Sequence, residues 1–361
     1  MNNPLTGHTA ATLTAALPSN AAAVDASRRL TLMDARSNSD VPDLTAECLS
    51  RHAQSDAGRK SLEVVFTGRF SISSLFGFFG AIRRSDTAVI FLSNLISALV
   101  ILFPALVFGR FYHKRIIAHV GGQCLMQSTS WHRRLLKPLL ARVDHLATST
   151  DRSAMALARL GLKATVVGPV LPEVAARSIQ AVQPHLILTV RDYNEVEMAQ
   201  VIGAHALVKQ KYPRAILSIV APKKFHRRIR TLAQSERHSA AHAVALVPED
   251  RQSELLEQGD VCICSHSDSG APVDLLLCWR YGLPAIASDF SAAAELIRDH
   301  ENGLVFTALH PSSLADRIIE LIEDPRLAAR LSANGIAEAK RYSWTAVEPH
   351  WRRLLALPDA G

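Results

Sequence analysis

The chain has 361 residues, 48% of them hydrophobic and 20% charged, which excludes an intrinsically disordered protein and leaves room for two domains that each bury a core. Forty Lys and Arg against 33 Asp and Glu give a formal charge of +7, so anionic partners are favoured: nucleotide-sugar diphosphates, anionic lipid head groups or nucleic acid. Aromatic residues make up only 6% and no run interleaves them with bases, which sets nucleic acid aside.

Residues 1–60 are rich in Ala, Thr, Ser and Asn and lack both a sustained helical period and a basic-then-apolar start. They read as a disordered or loosely packed segment without a secretory signal, with Arg29–Met33 as a lone strand candidate. A first domain is expected over 61–175. Leu62–Phe66 predicts a strand, Ser71–Ile82 a helix and Thr87–Leu92 a second strand. Leu95–Phe108 is almost wholly apolar, and with the strand before it makes about 20 apolar residues, enough on length alone to span a bilayer. Ser93-Asn94 and Pro104 interrupt that run, so a buried strand followed by a buried helix is preferred over a membrane segment.

Ile116–His119 predicts a strand running into Val120-Gly121-Gly122. Ser130–Ala141 predicts a basic amphipathic helix, with Trp131, Leu135, Leu136, Leu139 and Leu140 opposite His132, Arg133, Arg134 and Lys137. Its polar face suits either water or anionic lipid, and so makes a candidate peripheral membrane contact. A strand at His145–Ser149, a helix at Asp151–Leu160 stopped by Gly161, and a strand at Thr165–Val167 complete the domain.

An Ala/Val/Gln/Pro linker at Pro172–Pro184 precedes a second domain over 185–340. There strands at Leu186–Val190, Ala215–Val220, Ala243–Leu246, Val261–Cys264 and Ala285–Ser288 alternate with helices at Glu195–Gln210, Phe225–Arg237, Asp250–Gln258 and Val273–Trp279. Such alternation implies right-handed crossovers and a parallel sheet covered on both faces, with ligands bound outside the carboxyl ends of its strands. Residues 341–361 read as a tail or helix crossing back to the first domain. Five cysteines, Cys48, Cys124, Cys262, Cys264 and Cys278, show neither CxxC nor paired spacing. They fit a reducing compartment, argue against a zinc site, and make Cys262 and Cys264 small buried hydrophobes.

Six pieces of the second half stand in a telling order: Leu188-Thr189-Val190-Arg191, Tyr193-Asn194, Lys211–Ala215, Gly282–Asp289, Glu295–Val305 and Arg341–Trp344. Together they resemble the GT-B glycosyltransferases of the family 4 type (glycosyl transferases group 1). The resemblance implies an α/β, GT-B fold: two Rossmann-like domains facing a cleft. It also implies a retaining transferase of polysaccharide biosynthesis, working in the cytoplasm or at the inner face of the membrane, with no metal or other cofactor. Its donor is a nucleotide-diphospho-sugar and its acceptor a glycan or lipid-linked sugar. A catalytically degenerate GT-B protein that binds nucleotide-sugar or glycan as a scaffold subunit is the alternative.

Transfer from such a donor requires cations against the leaving diphosphate and a carboxylate for sugar and ribose hydroxyls. Arg191, at a strand's carboxyl end, is the candidate cation, a surface ion pair being its bland reading. The family's partner lysine is replaced by Asn194-Glu195-Val196-Glu197, and Lys223 is the candidate substitute. Counting back from Gly282, the family's two glutamates fall on Ser269 and Leu277. Asp268 and Asp274 are then the nearby carboxylates, Asp274 one helical turn before Leu277. Asp268, Ser269 and Asp274 equally suit a helix start. Gly270, Gly282, Pro284 and Glu295 complete the donor-side set. On the acceptor side, His119 is the candidate catalytic imidazole, with Gly121 and Gly122 giving close backbone approach.

Overall fold

The computed structural model describes residues 80, 82–92, 95–121, 136–177, 179, 183–191, 193–235, 244–265 and 272–356, with the strand segments 13–14, 30–35 and 62–67. The chain divides into two compact units, residues 1–172 with 344–361 and residues 173–343.

In the first unit, β1 (Leu13–Thr14), β2 (Leu30–Ala35), β3 (Leu62–Thr67), β4 (Thr87–Leu92), β5 (Arg115–Val120), β6 (His145–Thr148) and β7 (Thr165–Val166) form one sheet. Its order is β1-β3-β2-β4-β5-β6-β7. Every pairing is parallel except β1 on β3. β2 pairs along its whole length with both β3 and β4. Part of the segment read as loosely packed therefore supplies an interior strand.

β4 and β5 are buried at every position, as befits parallel strands covered on both faces. Ala88, Ile90 and Leu92 of β4 share a core cluster with Ile116, Ala118 and Val120 of β5, and with Ile101, Leu102 and Ala105 of α1 (Leu95–Phe111). The expectation of a buried helix here is corrected. α1 lies on the sheet by one face only, and Phe103, Val107 and Phe111 on its other face are 59%, 52% and 74% exposed. Among the described residues, no helix is long and apolar enough to cross a membrane. α2 (Asp151–Arg159) starts where Thr150 Oγ1 accepts the Ser153 N–H at 3.2 Å. Past its end Gly161 takes the left-handed conformation, φ 75°.

The second unit holds a wholly parallel sheet of β8 (His185–Thr189), β9 (Ile216–Val220), β10 (Val244–Val247), β11 (Val261–Cys264), β12 (Ala285–Ser288) and β13 (Leu304–Phe306). Its helices are α3 (Glu195–Lys211), α4 (Lys223–Ser235), α5 (Gln252–Gln258), α6 (Val273–Arg280), α7 (Pro311–Glu323) and α8 (Pro325–Ala339). α3 begins where Asn194 Oδ1 accepts the N–H groups of Val196 and Glu197. With Glu195 and Glu197 in the first turn and Lys209 and Lys211 in the last, its charges complement the helix dipole.

Sheet order is β10-β9-β8-β11-β12-β13. The chain therefore starts at β8, winds outward to β10, and returns on the other side of β8 to lay down β11. The reversal falls between β8 and β11, where ligands bind in sheets of this kind. Pairing of Leu186 with Val261 and Leu188 with Ile263 brings the carboxyl ends of both strands side by side.

After Ser343 the chain returns to the first unit as α9 (Trp344–Ala356). Trp351, 1% exposed, lays its ring 6.0 Å from Phe91 and 5.8 Å from His119. The buried Arg115 guanidinium donates to the carbonyls of Leu355 and Leu354 at 3.1 and 3.2 Å. A cation thus satisfies backbone acceptors in the last turn of the helix, where the dipole also favours it.

Candidate functional site

At the β8/β11 reversal the chain places a cation and a carboxylate face to face. β8 ends at Thr189 and Arg191 follows two residues later, while Asp274 stands in the first turn of α6. Arg191 Nε donates to Asp274 Oδ2 at 3.1 Å and Nη2 to Oδ1 at 2.8 Å. This fork is the strong, orientation-fixing arrangement of guanidinium and carboxylate. Side-chain exposures of 30% and 19% leave the pair half-buried and reachable from solvent.

Gln252, at the start of α5, ties the pair to the sheet. Its Nε2 donates to Thr189 Oγ1 at 3.1 Å and reaches Asp274 Oδ1 at 3.5 Å. Beneath lies a small cavity lined by Thr189, Ile263, Cys264, Ser265, Asp274 and Ala292. A wider hollow lined by Thr307, His310, Ser312, Ser313, Asp316 and Arg317 opens at α7 and the end of edge strand β13. It lies away from the reversal, so the smaller cavity is the better candidate. Burial, and secondly the Asp274 carboxylate, push the Cys264 thiol well above its ordinary pKa. Cys264 stays protonated and is no nucleophile.

Of the residues expected from sequence, Arg191 and Asp274 are brought together. Asp268, Ser269, Gly270 and Gly122 lie outside the described residues. Leu277 is 7% exposed and packs inside α6. Gly282 and Pro284 precede β12 at the amino end of the parallel sheet, opposite the end that carries Arg191 and Asp274, so the structure does not bring them to the site. Gly282 has φ 81°, and a Cβ there would stand 1.8 Å from the Arg177 carbonyl oxygen, while the Pro284 carbonyl accepts the Cys262 N–H at 3.0 Å. Glu295 is exposed at the end of the 3-10 turn Ala292–Glu295, two members of which, Ala292 and Ala293, line the cavity. Lys223 is exposed at the first residue of α4. Beside it Tyr193 and Phe225 pair at 5.8 Å, with Arg228 and Lys224 over their rings.

His119 sits in the core of the first unit, 1% exposed. Its ring lies against Phe91 and Trp351, and its Nε2 is 3.0 Å from Ser149 Oγ. Alternation along β5 turns position 119 toward α9. The imidazole is thus packed among core side chains of the first unit, with Ser149 at its Nε2. Gly121 follows at the strand's end, its N–H bonded to the Leu92 carbonyl at 3.0 Å.

The reading of the cysteines needs correction. Cys262 of β11 and Cys278 of α6 form a disulfide, their Cα atoms 6.1 Å apart. The strand and helix face each other in space although the cysteines are 16 residues apart in sequence, so spacing gave no sign of the bond. Among the described residues, no cluster of three His, Cys, Asp or Glu is arranged to hold a metal ion.

The fold is GT-B. HepE of Anabaena, solved with UDP and glucose, superposes with a TM-score of 0.69 over 91% of this chain and 99% of its own, at 15% identity. Sucrose-phosphate synthase of Thermosynechococcus elongatus gives 0.60 over 91% and 99%, at 14% identity. Residues 176–338, inside the second unit, match the family described as glycosyl transferases group 1. Among curated proteins, EpsD of Bacillus subtilis, named as a glycosyltransferase, is 31% identical over 144 residues, 40% of this chain. The phosphatidyl-myo-inositol mannosyltransferase of Mycobacterium leprae is 35% identical over 73 residues, 20% of this chain. The matches span 38% and 20% of those two proteins.

Proposed function

We propose that this chain is a glycosyltransferase that moves a sugar, with retention, from a nucleotide-diphospho-sugar to a glycan or lipid-linked acceptor in polysaccharide biosynthesis. The observation that carries the reading is the Arg191–Asp274 fork at the β8/β11 reversal, inside the segment that matches the group 1 family. As the bond from the sugar's anomeric carbon to the diphosphate breaks, negative charge collects on the departing phosphate. Arg191 is the cation placed to neutralise it, and Lys223 is the candidate second charge. Asp274 aims the guanidinium and offers its exposed edge to a donor hydroxyl, with Gln252 linking the carboxylate to Thr189 at the end of β8. Pre-set charges of this kind need no rearrangement during reaction.

The donor class is in keeping with structural neighbours solved with UDP or a UDP-sugar. A cytoplasmic setting belongs to the same reading. The disulfide sulfurs there are shielded, since Cys262 and Cys278 are each 1% exposed.

Incubation with uridine, guanosine and adenosine diphospho-sugars tests the proposal. With the matching donor, transfer or hydrolysis is expected, and Arg191→Ala should lower kcat/KM by about 10²–10³ without loss of fold. A second reading, a GT-B subunit that binds sugar nucleotide without transferring it, draws on the apolar Leu277 where the family resemblance asks for glutamate. Calorimetry separates the two: binding without turnover selects the second, and no binding of any diphospho-sugar sinks both.

A further inference from the structure

Two features of the first unit play no part in sugar transfer. The first is the outward face of α1. Ile101, Leu102 and Ala105 are at most 1% exposed against the sheet, whereas Phe103, Val107 and Phe111 are 59%, 52% and 74% exposed. Spaced four residues apart, these three stand one above another on a single face. A helix that is apolar all round belongs in a protein interior or against a non-aqueous layer. A continuous stripe differs from the singly scattered apolar residues of ordinary surfaces.

The second feature is charge. Residues 80–172 carry twelve Lys and Arg against three Asp and no Glu, although the whole chain has a formal charge of only +7. Arg110 is exposed in the last turn of α1, and His113 and Lys114 follow it. Lys137 and Arg142 are exposed on and just after the helical turn 136–140, whose Leu136 and Leu140 share the core cluster of Leu102 and Ala105. Bases and stripe therefore cover the same face of the sheet. The acids are already engaged. Asp86 lies 3.7 Å from Lys114, Asp144 accepts the Ile116 N–H at 2.6 Å, and Asp151 sits in the first turn of α2.

A protein partner would need only the stripe, and nucleic acid only the charge. An anionic bilayer uses both, taking aromatic and aliphatic side chains into its interface and phosphates onto Arg and Lys. We propose that the outward face of α1 docks the first unit on an anionic membrane surface, with Phe103, Val107 and Phe111 entering the interface and Arg110, Lys137 and Arg142 meeting the head groups. This surface centres on α1 and shares Lys137 with the Ser130–Ala141 helix face read from sequence, and it does not depend on the sugar-transfer proposal.

Co-sedimentation of the full chain with phosphatidylcholine vesicles, and with an equal mixture of phosphatidylcholine and phosphatidylglycerol, tests it. The chain should pellet with the mixed vesicles and not with the neutral ones. The double substitution Phe103→Ser with Phe111→Ser should weaken partitioning by about tenfold or more, and Arg110→Glu should weaken it at low salt. Diphospho-sugar binding and the unfolding midpoint should be unchanged in each. Equal sedimentation with both vesicle types overturns the proposal, as does unaltered binding by the double variant. So does a dimer in solution that Phe111→Ser dissolves, since the stripe would then be covered by a second copy of the chain.

Discussion

Asp274 carries more of the candidate site than its place in the sequence suggests. It is the only carboxylate in the lining of the β8/β11 cavity among the described residues. It also meets Arg191 through both oxygens. If it aims Arg191 and receives a donor hydroxyl, Asp274→Asn keeps the shape and one acceptor but loses the charge that holds the fork. Turnover of the matching donor should then fall by about 10–100-fold, an effect of the size expected when one charge-assisted contact is lost. Unchanged kcat/KM would make Asp274 a helix-start residue and nothing more. Both partners were visible in the sequence, Arg191 from its strand end and Asp274 from its place one turn before Leu277. Their pairing was not, because 83 residues separate them and only the parallel register of β8 and β11 joins them. Gln252 gave no sign at all: a glutamine at a helix start is ordinary until the strand beside it is known.

Elements with sharp ends were the most legible. β11 and β12 occupy the spans read from sequence, since each is a short apolar run between turn residues. α1 was misread because an all-apolar helix has no polar side to mark its outward face. β2 was half seen, as a lone strand, because its partners lie about thirty and more than fifty residues further along. α6 shows how an element transmits position. Its first turn holds Asp274, and Trp279 near its other end packs against Gly335 of α8. A Cβ at Gly335 would stand 2.4 Å from Trp279 Cδ1. Gly335→Ala gains about 1 kcal/mol of helix propensity, but overpacking a rigid, fully buried ring costs about 1–3 kcal/mol. Net destabilisation is therefore expected in urea unfolding, together with weaker donor turnover as α6 shifts. A more stable variant would show that α6 and α8 have slack at this crossing.

For the whole molecule, the decisive contacts are those of α9 with the first unit. Arg115→Ala removes two hydrogen bonds from a charged donor to the last turn of α9 and should cost about 3 kcal/mol. Limited proteolysis should then open the chain within 344–356 before any cut in the second unit. Equal protection in the variant would mean that Trp351 alone suffices to seat the helix. Linker composition marks Pro172–Pro184 as the expected boundary. The depth to which Trp351 and Arg115 bind α9 was not legible, since a tail of mixed composition carries no mark of its docking place.

The seating of α9 also sets an order in time. The first unit is spelled in two pieces, 1–172 and 344–361, with the second unit uninterrupted between them. On the ribosome, the carbonyls that Arg115 binds and the ring that covers Phe91 and His119 are made only after the whole second unit. At about 5–20 residues per second the first sheet waits roughly ten to forty seconds for its closing helix. The domain that comes second in the sequence is thus the one able to finish folding first, and the first unit spends that interval with Phe91 and His119 uncapped by Trp351.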